Sequence, residues 1–377
     1  MFAKQGNEVN FLCQTNYGKN VEGVKVLKLK GKASHEKLNS QKLNLVERTK
    51  FLSEQYRLGF TALKNNNWEP DVVISHSGWG CGLYVKEVWP SCKFISYLEW
   101  WFNPKSDFFY YDENNKELGL NRNSIKKNWD RNKFIALELA SSDQIVAPTK
   151  WQREQLPNIL YKNCEVIFDG IDLNFYRINL LSRNSTPLLT YGTRGMDPFR
   201  GFPQFIKSLP QIFSSNKDLK VEIAGNNSVF YGSYPESFDN WQAWAIDYLR
   251  KNKIDEKVSW KGFMESSDYL KWLQSSWCHV YLTHPFVASW SMVESLACGS
   301  HLIASDIEAT KEFCGEMDGV SFVDHRDIDR IVHQVNNVVE SCSKITYYDR
   351  KSKLEKLSNE KCLQHWAEII EKLHTNY

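Results

Sequence analysis

The feature that most constrains the fold is the alternation of short apolar runs with longer amphipathic segments along nearly the whole chain. The short runs have the length and residue content of β-strands and lie at 8–13, 24–29, 71–75, 93–97, 144–147, 165–168, 187–191, 220–224, 258–260, 279–282, 301–304 and 320–323. Helical patterns lie between them, at 43–64, 126–139, 202–213, 241–251 and 266–275 among others. Strands that alternate with helices predict an α/β fold of doubly wound, Rossmann-like parallel sheets.

The length predicts two such domains, because 377 residues exceed what one ordinary core holds. The break falls near residues 169–186, where Asp169 and Gly170 form a turn signal and the polar stretch 181–186 precedes a fresh apolar strand. The sequence therefore predicts domains over residues 1–170 and 171–350. A last helix over about 351–373 is expected to pack back on the first domain.

The start of the chain is unusual for this fold. Residues 1–6 have the pattern of a helix tail with Gly6 as its C-cap, followed by the strand 8–13, so an opening strand is not visible. Such a strand normally lies in the middle of the sheet. We expect either a first sheet that closes up to four or five strands, or a true start upstream of Met1.

Charge and cysteine content exclude several classes of protein. A formal net charge of +2 gives no global attraction to nucleic acid, and we expect no nucleic-acid partner. The nine cysteines are odd in number and form no C-x-x-C pair, so neither a metal site nor a disulfide framework is predicted. No run of about 18 apolar residues is present. A cytoplasmic protein is expected, with peripheral membrane contact left open.

Two segments of the second half have the composition of a phosphate site. In the first, YGTRGMDPFRG at 191–201, Arg194 and Arg200 lie on one glycine-containing loop between a strand and a helix. Guanidinium groups at such a place bind a pyrophosphate through charge-assisted hydrogen bonds. A surface loop that happens to carry two arginines is the alternative.

The second segment, THPFVASWSMVE at 283–294, predicts a helix that begins near Ser289 or Trp290. The first amides of that helix are expected to point toward the same ligand. Glu294 lies about one turn inside among apolar neighbours, where a ribose diol would be a natural partner for its carboxylate. The alternative is an exposed helical glutamate.

Two side chains of the first half follow predicted strands. His76 begins the loop HSGWG at 76–80, and Glu99 follows the strand at 93–97, so both are expected at the cleft between the domains. Glu99 either binds hydroxyl groups of a ligand or pairs with a basic neighbour. The aromatic stretch Trp100–Tyr111 serves sugars or lipid, or simply packs a long loop, and packing is the favoured reading.

These segments together resemble glycosyltransferase family 4, whose members have two Rossmann-like domains that face a cleft, the GT-B fold. The resemblance also includes YLEWW at 97–101, PTKWQ at 148–152 and DGID at 169–172. It implies that residues 1–170 serve the acceptor and that residues 171–350 bind the donor, a nucleotide diphosphate sugar. It also implies that the acceptor is a saccharide or a lipid-linked molecule and that the role is in polysaccharide or glycoconjugate synthesis.

The resemblance also assigns roles to residues. It implies that Arg194 and Arg200 bind the donor diphosphate and that Glu294 binds ribose. The family has another glutamate where this chain has Phe286, so the backbone of residues 287–291 is expected to take over its function. The implied donor-binding set is Gly192, Arg194, Arg200, Gly262, Phe263, Val287, Ala288, Ser289, Trp290 and Glu294.

The implied reaction is transfer with retention of configuration, with no cofactor and no metal. His76 and Glu99 are the catalytic candidates of the first half, with His76 touching the sugar or orienting the acceptor. Three other functions stay open: a sugar-nucleotide epimerase, a phosphorylase of the same fold, and an inactive nucleotide-sugar-binding protein. A panel of nucleotide sugars distinguishes them.

Overall fold

The computed structural model describes residues 2–14, 21–29, 43–183, 185–342 and 346–375. The chain separates into two compact units. The first comprises Met1–Pro104, Lys126–Phe168 and Leu363–Tyr377, and the second comprises Lys105–Ile125 and Asp169–Cys362. The predicted ranges did not anticipate that residues 105–125 pack with the second unit. The functional division of the chain stays a prediction.

Strands and helices alternate as the sequence predicts. The strands are β1 Val9–Cys13, β2 Val24–Lys28, β3 Val72–His76, β4 Lys93–Tyr97, β5 Gln144–Ala147, β6 Cys164–Val166, β7 Leu188–Gly195, β8 Lys220–Asn226, β9 Val258–Gly262, β10 Cys278–Tyr281, β11 His301–Ser305 and β12 Val320–Val323. The helices are α1 Leu45–Asn65, α2 Val85–Val88, α3 Asp107–Tyr110, α4 Arg122–Ser141, α5 Lys150–Glu154, α6 Asn158–Tyr161, α7 Phe202–Ser215, α8 Trp241–Lys251, α9 Ser266–Ser275, α10 Trp290–Ala297, α11 Glu308–Cys314, α12 Ile328–Ser341, α13 Lys351–Leu354 and α14 Asn359–Thr375.

The first unit contains a four-stranded parallel sheet in the order β3-β4-β5-β6 and a separate parallel pair, β1-β2. The sheet has four strands, which is one of the two predicted numbers. The expectation that all strands of the first domain close up into one sheet is wrong, because β1 and β2 form a separate pair. Within the described ranges, β1 pairs with β2 alone and β3 with β4 alone. Val9 and Phe11 of β1 and Val72 and Ile74 of β3 line a cavity of about 870 Å³. Both edges therefore border the same space.

The predicted last helix is interrupted. α13 is followed by a short 3-10 turn at Glu355–Leu357, and α14 begins only at Asn359. Within the first unit the ring of Trp366 on α14 lies 6.4 Å from that of Tyr97, and Ile370 lines the same cavity as β1.

The second unit contains a six-stranded parallel sheet in the order β12-β11-β10-β7-β8-β9. The chain moves outward from β7 to β9, returns to β10 beside β7, and then moves outward the other way. This is the doubly wound order in which ligands bind where the strand order reverses, at the carboxyl ends of the central strands. The reversal lies between β7 and β10, which pair directly.

α7, which follows β7, packs its apolar face into the core of the second unit. Its buried face includes Phe202, Phe205 and Leu209, all fully buried in the core of the second unit. Each such side chain contributes about 1.5–3 kcal/mol on burial. Gly201, just before α7, has φ +61°, and a Cβ there would lie 2.5 Å from the Cβ of Leu282. Glycine at this position therefore lets the loop after β7 approach the end of β10.

Candidate functional site

The two predicted donor segments meet in the second unit. Arg194 is the last residue but one of β7 and not part of a loop as predicted, whereas Arg200 lies in the turn between β7 and α7. The segment after β10 leads through Val287 to α10. Because β7 and β10 are neighbouring parallel strands, both segments leave the sheet at the same edge. The amide of His284 donates to the carbonyl of Phe199 at 2.8 Å and joins the segments directly.

Arg200 makes the closest side-chain link between these segments. Its Nη1 lies 3.0 Å from the hydroxyl of Thr283, 3.2 Å from the carbonyl oxygen of Val287 and 3.3 Å from the hydroxyl of Tyr281. The side chain is half-buried. A guanidinium held at three points is oriented before any ligand arrives.

Arg194 is held less tightly. It is exposed, and its guanidinium carbon lies 4.3 Å from the ring centroid of Phe230, within the range of a cation–π contact. β7 is irregular here, since the register of its pairing with β8 shifts between Gly192 and Gly195. Gly192 itself is buried, and a Cβ there would meet the ring of Trp272 at 3.1 Å.

Asp197 is a buried carboxylate between the two arginines that the sequence analysis did not select. Burial raises its pKa to about 6, although Arg200 and the amides of Phe230 and Tyr231 oppose the rise. An acidic residue between two arginines in one short loop was the signal that could have identified it.

The start of α10 agrees with the prediction. Ser289 is the N-cap, and its amide donates to the hydroxyl of Tyr281 at 2.9 Å. Trp290, the first helical residue, is 58% exposed and donates from Nε1 to Asp169 at 2.8 Å. Val287 is buried and Ala288 is half-buried.

Glu294 is half-buried and is not an exposed helical glutamate. Burial raises the pKa of its carboxyl, while hydrogen bonds from the hydroxyls of Tyr176 and Tyr269 act in the opposite direction. The sequence analysis missed both tyrosines, because neither lies near Glu294 in the sequence.

The remaining donor candidates differ in exposure. Gly262 ends β9 with φ +63° and open space where a Cβ would lie, and the next residue, Phe263, is 74% exposed. Phe286 is buried, with its ring 5.5 Å from that of Phe108 and 4.9 Å from that of Tyr231. An apolar cluster thus occupies the place where the family has a glutamate.

In the first unit His76 and Glu99 come together. His76 is the last residue of β3, and Glu99 follows the adjacent parallel strand β4. Nε2 of His76 lies 3.3 Å from Oε2 of Glu99. Burial disfavours the protonated imidazole, but the Glu99 carboxylate, the carbonyl of Ser77 and the charge of Glu138 together outweigh this, and the pKa of His76 is raised. Glu99 thus pairs with a basic neighbour, and its binding of acceptor hydroxyls stays a prediction.

The aromatic stretch is mainly a packing element. Six of its side chains, Trp100, Trp101 and Phe102 in the first unit and Phe108, Phe109 and Tyr111 in the second, are buried or half-buried. Tyr111 stacks on His325 at 5.3 Å. Tyr110 is the exposed exception.

The described residues contain neither a metal-binding cluster nor a helix that could span a membrane. Among the residues that the structure describes, no group of three or more histidines, cysteines or carboxylates lies close enough to hold a metal ion. In the same part of the chain, no helix has the length and apolarity needed to cross a membrane. All nine cysteines are free, and all except Cys81 are buried.

Comparisons with known proteins give the family. Residues 5–176 match the model of the glycosyl transferase family 4 group. Residues 187–353 match the model of glycosyl transferases group 1. A search of curated proteins found no match.

Solved structures with the same architecture include sucrose-phosphate synthase from Thermosynechococcus elongatus, with a TM-score of 0.74 at 12% identity, covering 100% of this chain and 91% of that one. HepE from Anabaena, in complex with UDP-glucose, has a TM-score of 0.64 at 13% identity. The match covers 97% of this chain and 99% of HepE. The lipopolysaccharide outer core galactosyltransferase WaaB has a TM-score of 0.59 at 13% identity. The match covers 97% of this chain and 89% of WaaB. These likenesses confirm the predicted fold class of two Rossmann-like domains.

The two matched ranges together span most of the sequence. The chain therefore belongs to the glycosyltransferases, with a family 4 domain in its first half, a group 1 domain in its second half and the GT-B fold.

Proposed function

We propose that this glycosyltransferase moves a hexosyl group from a nucleotide diphosphate sugar to an acceptor hydroxyl with retention of anomeric configuration. The observation that carries the proposal is the contact of Arg200 with Thr283 and Val287, since it joins the two donor segments where the strand order reverses. The proposed acceptors are saccharides or lipid-linked saccharides of polysaccharide or glycoconjugate synthesis.

The donor would lie across the ends of β7, β9 and β10. In this proposal Arg194, Arg200 and the amides at the start of α10 bind the diphosphate, because cations and helix N-termini attract anions. Glu294 binds the ribose hydroxyls. The base lies against Gly262 and Phe263, where the exposed ring offers a stacking face.

The proposed chemical step forms a bond from the acceptor oxygen to the anomeric carbon on the face that the diphosphate leaves. The bond from that carbon to the phosphate oxygen breaks, and its electron pair goes to the diphosphate. The acceptor proton passes to the departing group. The two arginines and the helix N-terminus stabilise the charge that develops there, without a metal ion. His76, oriented by Glu99, binds the transferred sugar.

The likeness to HepE with bound UDP-glucose makes a UDP-hexose the first donor to test. Calorimetric titration of UDP into the wild type, Arg200→Ala and Arg250→Ala is the experiment. Arg250, which forms a surface pair with Asp255, is the matched control. We expect affinity to fall in Arg200→Ala alone. Equal affinity in all three proteins, or an equal loss in both variants, would remove Arg200 from the proposed site.

Activity assays with full nucleotide-sugar donors, in which the products are identified, separate the alternatives. An epimerase changes the sugar nucleotide with no acceptor present, and a phosphorylase requires inorganic phosphate. A binding protein retains the donor without turnover. Transfer that depends on an added acceptor supports the proposal.

A further inference from the structure

A fully buried carboxylate holds the loop that follows His76. Glu138 lies on α4 and is 0% exposed. Its Oε1 accepts a hydrogen bond from the hydroxyl of Ser75 at 2.9 Å and one from the amide of Gly82 at 3.1 Å. An interaction with the amide of Gly78 also lowers the pKa of this carboxyl. One side chain thus contacts the segment from Ser75 to Gly82.

The loop residues are suited to this contact. A Cβ on Gly82 would lie 2.4 Å from Oε1 of Glu138 and 2.8 Å from the hydroxyl oxygen of Ser75. Only glycine allows the amide to come so close. Gly80 has φ +82°, and a Cβ there would lie 2.7 Å from the carbonyl oxygen of Thr49. The loop is therefore fixed against α1 as well as against α4.

The held loop determines the surroundings of His76. His76 directly follows Ser75, and its Nδ1 lies 3.0 Å from the carbonyl oxygen of Ser77. The amide of Ser77 donates to the carbonyl of Tyr97 at 2.8 Å. The ring is thus placed between a loop bound by Glu138 on one side and Glu99 on the other.

A buried carboxylate is an expensive way to hold a loop. Burial raises the pKa of Glu138 to about 7, although the three donors lower it. A glutamine at this position would keep one acceptor oxygen but replace the other with an N–H donor. The negative charge of Glu138 acts on the imidazole of His76 and favours its protonated form.

We propose that Glu138 is a positioning residue for sugar transfer: through Ser75, Gly78 and Gly82 it fixes the loop at 77–82 and so orients the imidazole of His76. The proposal rests on the function proposed for His76 above.

The test compares Glu138→Gln with Gln144→Leu. Gln144 is a buried polar residue of β5 whose side chain bonds the carbonyls of Ile145 and Asn163, neither of which belongs to the loop. Both variants are measured for folded fraction, UDP affinity, transfer from UDP-hexoses and the pKa of His76 by NMR. Glu138→Asp, which keeps the charge on a shorter side chain, is measured alongside.

We expect Glu138→Gln to bind UDP like the wild type, to transfer at least tenfold more slowly per folded molecule, and to show a lower pKa for His76. Glu138→Asp should keep the raised pKa but not the full rate. Gln144→Leu should change neither quantity. A rate and a His76 pKa in Glu138→Gln equal to those of the control would overturn the proposal.

Failure of the proposed function gives a different result. If the wild type transfers no sugar from any donor, the proposed function fails. The pKa of His76 and the exchange of the Gly78 and Gly82 amides still report whether Glu138 positions the loop. Unchanged exchange of these amides in Glu138→Gln would contradict the positioning role by itself.

Discussion

Nε2 of His76 and Oε2 of Glu99 are 3.3 Å apart at the carboxyl ends of two neighbouring parallel strands, β3 and β4. The two residues are more than twenty positions apart in the sequence, and strand pairing brings them together. Both side chains are more than a third exposed, which leaves the pair accessible to a substrate. This is the pair proposed above to bind the transferred sugar.

The first prediction concerns this pair. Glu99→Gln removes the carboxylate that stabilises the imidazolium, so the pKa of His76 should fall toward its ordinary value or below. Because the pKa is raised in the folded protein, the pair stabilises the fold below the pKa of the unfolded chain. This contribution disappears as the pH rises through the folded value. An NMR titration of His76 checks the shift, and an unchanged pKa would show that Glu99 does not control it.

Glu138 gives a pH dependence of known sign. Its folded pKa of about 7 lies above the ordinary 4.5, so the folded state holds the proton more tightly. The free energy of unfolding should therefore fall by up to about 3 kcal/mol as the pH rises between these values. Glu138→Gln should lack this fall. Urea denaturation at pH 5 and pH 7.5 measures it, and identical pH dependence in both proteins would be the contrary result.

For the diphosphate site, Arg194→Ala and Arg200→Ala should each weaken nucleotide binding by about 1.5–3 kcal/mol, since each removes a charge-assisted contact. Arg200→Ala should also free the segment at Thr283 and Val287, which its guanidinium holds. Arg194 makes a cation–π contact with Phe230 and does not join the two segments, so it should show the purer binding effect. Calorimetry with UDP is the measurement, and wild-type affinity in both variants would exclude this loop.

Glu294 should act on the nucleotide and not on the sugar. Glu294→Gln should weaken binding of UDP and of the full donor by similar factors, because the lost contact is with the ribose. A matched titration with a 2′-deoxynucleotide should show a smaller difference between the wild type and the variant. Unchanged UDP affinity together with a collapse of transfer would place Glu294 at the sugar instead.

Most of the fold could be predicted from patterns of residues that are close together in the sequence. Alternation of strands and helices predicted the doubly wound sheets, and the small-residue turn before Trp290 predicted the start of α10. The segment at 191–201 was recognised because its arginines and glycines are close in sequence. His76 and Glu99 could be identified in a similar way, because each closely follows a short apolar run that predicts a strand.

Contacts of long range were missed. Glu138 is one glutamate in an amphipathic helix, and nothing near it indicates that its partner Ser75 is 63 positions away. Tyr176 and Tyr269 reach Glu294 only in the folded unit. The separation of β1 from β3 could not be predicted either. It depends on how two strands that are far apart in the sequence pack, and local patterns do not show this.

The central claim is acceptor-dependent sugar transfer with retention, and the most direct test is the product itself. The wild type is incubated with UDP-hexoses and other nucleotide sugars, with and without saccharide acceptors, and the anomeric proton of the product is followed by NMR. The account predicts nucleoside diphosphate release that depends on the acceptor, and a product with the anomeric configuration of the donor. An inverted product, or a donor altered without any acceptor, would contradict it.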